Sequence, residues 1–389
     1  LALTNDVWSH AMRDGLIDLR VAVTSLATLD QQGVPFEVLI ADVEGLIEAQ
    51  AADRARVAAE QAEGGIADAD WYADVKTLAQ INARMDQLAA SHPALVTPIT
   101  IGTSLQGRPI RGLRLSSLPV DSEAPGFLFN ATQHAREWAT PMVAMFLAER
   151  LVNDAATDSE IAAILAGSEI FILPVINPDG YQFSWDSQRL WRKNRRNNGN
   201  GTFGVDLNRN WGYQWGGAGS SGNPASETYR GTAPFSEPET QVLRDFMLNH
   251  GWILAHIDYH SYGQLILWPW GYTSQFCDDQ PLFASLGASI QTAIAEVHGR
   301  SYFPGPIYTG IYPASGTVVD WAYGAGGVLS TTIEVRDKGG YGFLIPPPEV
   351  RPCAEENTEA ALALIRATLQ PGFMTYDGTP PWWVEPETL

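Results

Sequence analysis

The sequence predicts an α/β protein, a mixed and mostly parallel twisted sheet covered by helices on both faces and preceded by a small α+β unit. Three observations point there. Short apolar runs, such as 126–130, 170–175 and 328–335, alternate with segments whose apolar residues recur at helical spacing, such as Val75, Leu78, Ile81, Met85 and Leu88. The chain has 389 residues and 45% hydrophobic content, enough for a large core. An Ala/Glu/Gln/Arg-rich stretch at 41–61, ending at Gly64-Gly65, sets the first 63 residues apart from the rest.

In the first unit, 7–10 and 16–23 read as two strands around a turn at Asp14-Gly15, 24–32 as a short helix capped by Thr24 and stopped by Gly33, and 34–40 as a third strand. The helix at 41–61 is poor in large apolar residues after Ile47, which makes its second half a solvated connector. The larger unit spans 70–370. It opens with the Val75–Leu88 helical pattern, ending before Pro93, and continues with strands at 96–101, 109–115 and 126–130. A helix at 140–153 and an apolar strand at 170–175 follow. Two long loops at 197–204 and 211–236 lead to a helix at 237–249 and strands at 252–260 and 264–268. A helix at 281–297, a strand at 328–335 and a helix at 348–368 close it, and the Pro/Trp/Glu-rich tail 371–389 reads as irregular. Such alternation predicts a sheet buried on both sides.

Composition excludes several functions. The net charge is −20, and the densest basic run is 189–196, so the molecule as a whole is no binder of nucleic acid or other polyanions. The longest apolar stretches, such as 171–176 and 265–270, fall far below the ~20 residues of a membrane span. No charged segment followed by an apolar one stands at Leu1, so a signal peptide is expected to have been removed or never to have been present. Two cysteines, Cys277 and Cys353, are too few for a disulfide scaffold or a cysteine-based zinc site.

Four local signals carry chemistry. His134-Ala135-Arg136-Glu137 follows an apolar strand and precedes a helix, where His and Glu three apart can share one cation at the carboxyl edge of a sheet. Alone, His-x-x-Glu is a weak signal. Asp258-Tyr259-His260-Ser261-Tyr262 ends another strand, and His260 completes a three-ligand set that leaves a fourth position for water. Glu334, at the end of an apolar strand, is costly to bury without purpose, and near a metal it can take a proton from water. Arg189, Arg192 and Arg209 form a basic set in an acidic chain, which suits an anionic, carboxylate-bearing ligand or a surface ion-pair network.

Taken together these segments resemble the funnelin metallocarboxypeptidases, the family of pancreatic carboxypeptidases A and B. The matching stretches are His134-Ala135-Arg136-Glu137-Trp138, Asn177-Pro178-Asp179-Gly180-Tyr181, Arg189-Leu190-Trp191-Arg192-Lys193, Asp206-Leu207-Asn208-Arg209-Asn210-Trp211, Ser226-Glu227-Thr228-Tyr229, His260-Ser261-Tyr262, Ile311-Tyr312-Pro313-Ala314-Ser315-Gly316 and Glu334-Val335-Arg336-Asp337. They occur in family order across about residues 71–370. The resemblance implies zinc (Zn2+), one per chain, held by His134, Glu137 and His260, with Asp206 orienting the first histidine. It implies Glu334 as general base and Arg192 as the group that polarises the scissile carbonyl. Asn208, Arg209 and Tyr312 are implied as the clamp on a substrate's terminal carboxylate, and Arg136, Arg189 and Tyr262 as the lining of the approach.

For the terminal side chain, alignment to the family implies a pocket of Leu267, Gly271, Ile307, Ile311, Ala314, Thr317, Val318, Val319 and Thr332. Val319 is the deciding position, apolar where the basic-specific branch has Asp; Gly271 is expected to leave room for a ring, and Thr317 to narrow the pocket. Asp320, next to Val319, is the rival determinant, since turned into the pocket it would accept basic residues.

Residues 1–63 resemble the end of the family's pro-domain and its connecting helix, a partial ferredoxin-like unit. The resemblance implies a secreted or extracytoplasmic monomer that acts on peptide or protein C-termini and is covered by its own pro-segment until cleavage near Arg54 or Arg56. In an exported protein Cys277 and Cys353 are expected to pair. A related metal-dependent deacylase or amidase would lack the long ordered loops and a Tyr at position 312, and a non-catalytic peptide binder would lack Glu334 or a ligand.

Overall fold

The computed structural model describes residues 6–8, 15–62, 70–120, 122 and 124–370. Eight strands, β1 (Val96–Thr103), β2 (Pro109–Leu115), β3 (Gly126–Ala131), β4 (Glu169–Leu173), β5 (Ile253–Ser261), β6 (Leu265–Trp268), β7 (Phe303–Pro306) and β8 (Leu329–Val335), form one sheet in the order β1-β2-β4-β3-β5-β8-β6-β7. Pairing is parallel from β4 through β3 and β5 to β8 and between β6 and β7, and antiparallel elsewhere. The helices are α1 (Val23–Gln31), α2 (Val43–Ala62), α3 (Leu78–Ser91), α4 (Thr140–Asp154), α5 (Ser159–Gly167), α6 (Pro178–Asp186), α7 (Pro238–Asn249), α8 (Gln280–His298), α9 (Ile307–Gly310), α10 (Val318–Gly324) and α11 (Pro347–Leu369).

Two apolar layers cover the sheet because strand side chains alternate between its faces. Phe127, Phe129 and Ala131 of β3 and Ala255, Ile257 and Tyr259 of β5 pack with α3, α4, α5, α8 and α11. Leu128 and Ile253 fall on the opposite face with α7 and α10. On β5 that second face continues as His256, Asp258 and His260, all buried, so the polar residues of a central strand share one side.

Several elements depart from the sequence reading. Sites 7–10, 16–23 and 34–40 were expected to be strands; Val7 and Leu19 instead share one isolated antiparallel bridge, residues 9–14 lie outside the described ones, and 34–40 has no strand partner among the described residues. Among those residues Val34, Phe36, Val38 and Leu39 stay exposed. The tail 371–389 also lies outside the described residues.

The expected Cys277–Cys353 bond is not formed. Both cysteines are free and buried, packed into the same apolar layer, where each serves as a small apolar side chain. Burial pushes the Cys277 thiol up to about 11 and Cys353 further still, so neither forms a thiolate readily.

The first unit touches the larger one through a third cluster, in which Trp8 packs with Leu190, Tyr262, Phe343 and Leu344 and against Ile40, Val43, Leu46 and Ile47. Asp6 and the Val7 carbonyl each lie 3.4 Å from the Arg136 guanidinium, and the Tyr262 hydroxyl donates to Asp18 at 2.8 Å. Arg54 of α2 stands over the stacked rings of Trp138 and Trp185, facing Asp74.

Candidate active site

The site lies where the parallel strands end. His134 and Glu137 sit in the turn between β3 and α4, and His260 stands at the end of β5, directly across the ladder from Glu334 of β8. Register therefore brings together residues far apart in sequence. His134 Nδ1 is 2.8 Å from Glu137 Oε1, and His260 Nδ1 is 3.0 Å from both Glu137 Oε2 and His134 Nδ1. Among the described residues these three are the one cluster whose ligand atoms all lie within 4.8 Å of one another.

The donors fit a zinc ion. Two facing imidazole nitrogens and a carboxylate, all buried, make a costly cluster unless a cation sits among them. The far sides of both rings are fixed: His134 Nε2 meets Asp206 Oδ1 at 3.1 Å, and His260 Nε2 meets Asp258 Oδ2 at 2.6 Å. That arrangement puts the ring protons on Nε2 and turns both Nδ1 lone pairs inward. Glu137 is held well below the usual carboxylate range; burial opposes this, and the two histidines outweigh it.

Arg192 and Glu334 complete the setting. Arg192 donates from Nη2 to Asp206 Oδ2 at 3.0 Å, while its Nη1 has no hydrogen-bond partner among the described residues. Burial disfavours the charge on Asp206, yet Arg192 and His134 hold that carboxyl well below its ordinary value. Glu334 Oε2 is likewise buried and without a partner, and burial, working against the pull of His260, pushes its carboxyl up to about 8. An orphaned donor and an orphaned acceptor beside one metal cluster are groups waiting for a ligand.

A cleft joins these groups to Asn208, Arg209, Leu267, Ile307, Ile311, Tyr312, Ala314, Thr317 and Thr332. Asp206 caps the short turn Leu207–Arg209 by accepting from Asn208 N, which sets Asn208 and Arg209 at the cleft. Asn208 Oδ1 accepts from Val318 N at 2.9 Å, and its amide nitrogen lies 3.1 Å from His260 Nε2. Arg209 donates to the Tyr312 hydroxyl at 3.0 Å and to the carbonyls of Asn208 and Gly219.

Of the other expected residues, Val318 and Val319 are fully buried on α10. A Cβ at Gly271 would come within 2.5 Å of the Ala314 carbonyl, so the glycine admits that backbone. Asp320 accepts from the backbone N–H groups of Gly271 and Tyr272 at 2.8 and 3.1 Å and is fully buried. Arg189 donates to the carbonyls of Arg136 and Phe343 and lies 3.6 Å over Trp138, so it braces the wall more than it offers itself to a ligand. Arg136 lies over the Phe343 ring, beside Tyr262 and under the first unit. Sequence reasoning missed Asp258 as the partner of His260; its position two residues before His260 on one strand, hence on one face, is the signal that finds it.

Metal donors beside a carboxylate and a guanidinium that each keep one atom without a hydrogen bond among the described residues put the chain among metal-dependent hydrolases. Comparison with known proteins narrows this. Residues 81–360 match the peptidase M14 zinc carboxypeptidase model. The chain is 39% identical to carboxypeptidase A1 of Rattus norvegicus over 371 residues, covering 94% of this chain and 87% of that protein. It is 39% identical to carboxypeptidase A2 of Mus musculus over 357 residues, 90% of this chain and 84% of that protein. The crystal structure of carboxypeptidase A from Helicoverpa armigera superposes with a TM-score of 0.82 at 29% identity, covering 94% of this chain and 92% of that one. The chain belongs to the zinc carboxypeptidase family: it is a metallocarboxypeptidase, an exopeptidase at peptide C-termini with zinc as its cofactor.

The buried Asp320 gives a pH signature. Burial raises its carboxyl from the usual 3.8 to about 7, against the pull of the Gly271 and Tyr272 amides. Between those values the folded chain keeps a proton that the unfolded chain releases, so this group's contribution is greatest below about pH 4 and declines as pH rises toward 7. In urea melts, Asp320→Asn should therefore gain on the parent protein between pH 5 and pH 7; a stability difference that does not vary with pH contradicts this.

Proposed function

We propose that the enzyme removes hydrophobic residues, aliphatic and aromatic, from peptide C-termini and is made as a zymogen outside the cytoplasm. His134, Glu137 and His260 hold the zinc, oriented by Asp206. Zinc, when bound, supplies Lewis acidity, polarising the scissile carbonyl and acidifying a water. Glu334, with its unpartnered oxygen, takes the proton from that water and passes it to the departing amine. Arg192 turns its free Nη1 toward the carbonyl oxygen as negative charge develops there. Asn208 and Arg209, with Tyr312, grip the terminal carboxylate, which is why an internal peptide bond is no substrate.

The observation that carries the specificity is the chemistry of the cleft wall. Leu267, Ile307, Ile311 and Ala314 line it, and the carboxylate next to the deciding position, Asp320, is committed to backbone amides. A substrate ammonium buried there would lose its water and gain no partner, at a cost of several kcal/mol. A Leu or Phe side chain gains roughly 2 kcal/mol from burial. Thr317 on the lining favours Leu, Met or Phe over Trp. Comparing kcat/KM for peptides ending in Phe, Leu, Lys and Glu, with and without chelator, should put Phe and Leu ahead by tenfold or more, about 1.4 kcal/mol. A Lys substrate equal to Phe defeats the assignment.

The zymogen reading is supported by the first unit's grip on Arg136 and Tyr262, which the resemblance places on the approach to the cleft, and by the packing of Trp8 on Phe343 beside them. Of the two connector arginines, Arg56 is the more accessible, with a side chain 59% exposed against 18% for Arg54. No described helix is long and apolar enough to cross a membrane. Removing Trp8's contacts should loosen the unit by about 3 kcal/mol or more. Accordingly, Trp8→Ala should raise the activity of the uncut chain, and cleavage after Arg56 should raise that of the parent. Activity unchanged by either operation contradicts latency.

A further inference from the structure

We propose that Asp258 is the positioning residue of the second histidine ligand, holding His260 for zinc as Asp206 holds His134. The inference rests on the ligand set proposed above. It starts from the fold: β5 places His256, Asp258 and His260 on one face, and the neighbouring strands place Asn130 opposite Asp258, Ser330 opposite His256 and Glu334 opposite His260. All of them are buried. The result is a polar stripe through the middle of the sheet, ending at the metal cluster.

Within the stripe every bond is defined. Asn130 Nδ2 donates to Asp258 Oδ1 at 2.6 Å, and Gln133 Nε2 donates to Oδ2 at 2.7 Å. His260 Nε2 meets the same Oδ2 at 2.6 Å. The anchors are themselves held: Asn130 Oδ1 faces His256 Nε2, His256 Nδ1 meets Ser330 Oγ at 2.7 Å, and Trp211 Nε1 donates to Gln133 Oε1 at 3.2 Å. The carboxylate cannot swing without breaking bonds to two neutral amides.

Charge sharpens the argument. Among the described residues the one salt-bridge partner of Asp258 is His260; no arginine or lysine reaches it. Asp206, by contrast, has Arg192 as well as His134. A fully buried carboxylate with only amides and an imidazole around it needs a positive charge, and the nearest candidate is the ion on the other side of the His260 ring. Asp258 therefore fixes the His260 tautomer, aims Nδ1 inward, and ties its own burial to occupation of the metal cluster. A purely structural carboxylate would stabilise the chain equally with and without zinc.

The test measures zinc affinity by competition with a chelator, and the rise in melting temperature on adding zinc to the metal-free chain, in the parent, Asp258→Asn and Asp258→Ser. His260→Ala is measured first; if it binds zinc as the parent does, the ligand set falls and this inference with it. Given loss of zinc there, both Asp258 variants should bind zinc about 10–100-fold more weakly and show a smaller zinc-dependent rise in melting temperature. If Asp258→Asn does not fold, Asp258→Ser, which keeps an acceptor without the charge, decides alone. Glu239→Gln, which changes an equally buried carboxylate away from the cluster, should bind zinc like the parent. Asp258 variants that keep the parent's zinc affinity and lose melting temperature equally with and without zinc overturn the proposal.

Discussion

Everything at the cleft depends on one constraint: several ionisable side chains are buried together at the ends of parallel strands, and they tolerate burial because each is held by another. His260 and Glu334 face each other across the β5–β8 ladder, and β3 delivers His134 and Glu137 to the same edge. Register thus does for the site what sequence proximity cannot, since a one-residue slip of β8 would turn Glu334 to the opposite face. The apolar layers on both sides of the sheet hold that register rigidly.

The polar shell propagates the constraint outward. Asp206 meets His134, Arg192 and the Asn208 amide, so one carboxylate ties together the proposed metal ligand, carbonyl-binding arginine and carboxylate clamp. Arg189 and Arg136 extend the wall to Phe343 and Tyr262, where the first unit lies. The proposed specificity rests on the acidic side chain nearest the deciding position, Asp320, being spent on Gly271 and Tyr272.

Much of the cleft was legible in the sequence because its residues cluster in short motifs: spacing suggests His134 with Glu137, and the resemblance to the family implies Asp206, Asn208 and Arg209. What was not legible depended on neighbours. The apolar alternation at 34–40 reads as a strand, but a strand exists only if another pairs with it. The sequence reading assigns no element to 178–186, where Asn177 caps and Pro178 starts α6, nor to the short α5 and α10, capped by Asp158 and Thr317. Asp258 stood in a quoted motif without a role, because its partners Asn130 and Gln133 arrive from another strand and a loop. The two cysteines show the opposite error: a compartment argument suggested a bond where packing supplies a sufficient reason for both side chains.

The most direct test of the account is Glu334→Gln, which keeps the shape of the side chain and removes its capacity to accept a proton. Zinc content per chain and kcat are measured together on the same preparation. The account predicts one zinc per chain, as in the parent protein, and a kcat lowered by about 10²–10⁴-fold. A variant that retains zinc and turns over peptides at the parent's rate contradicts it.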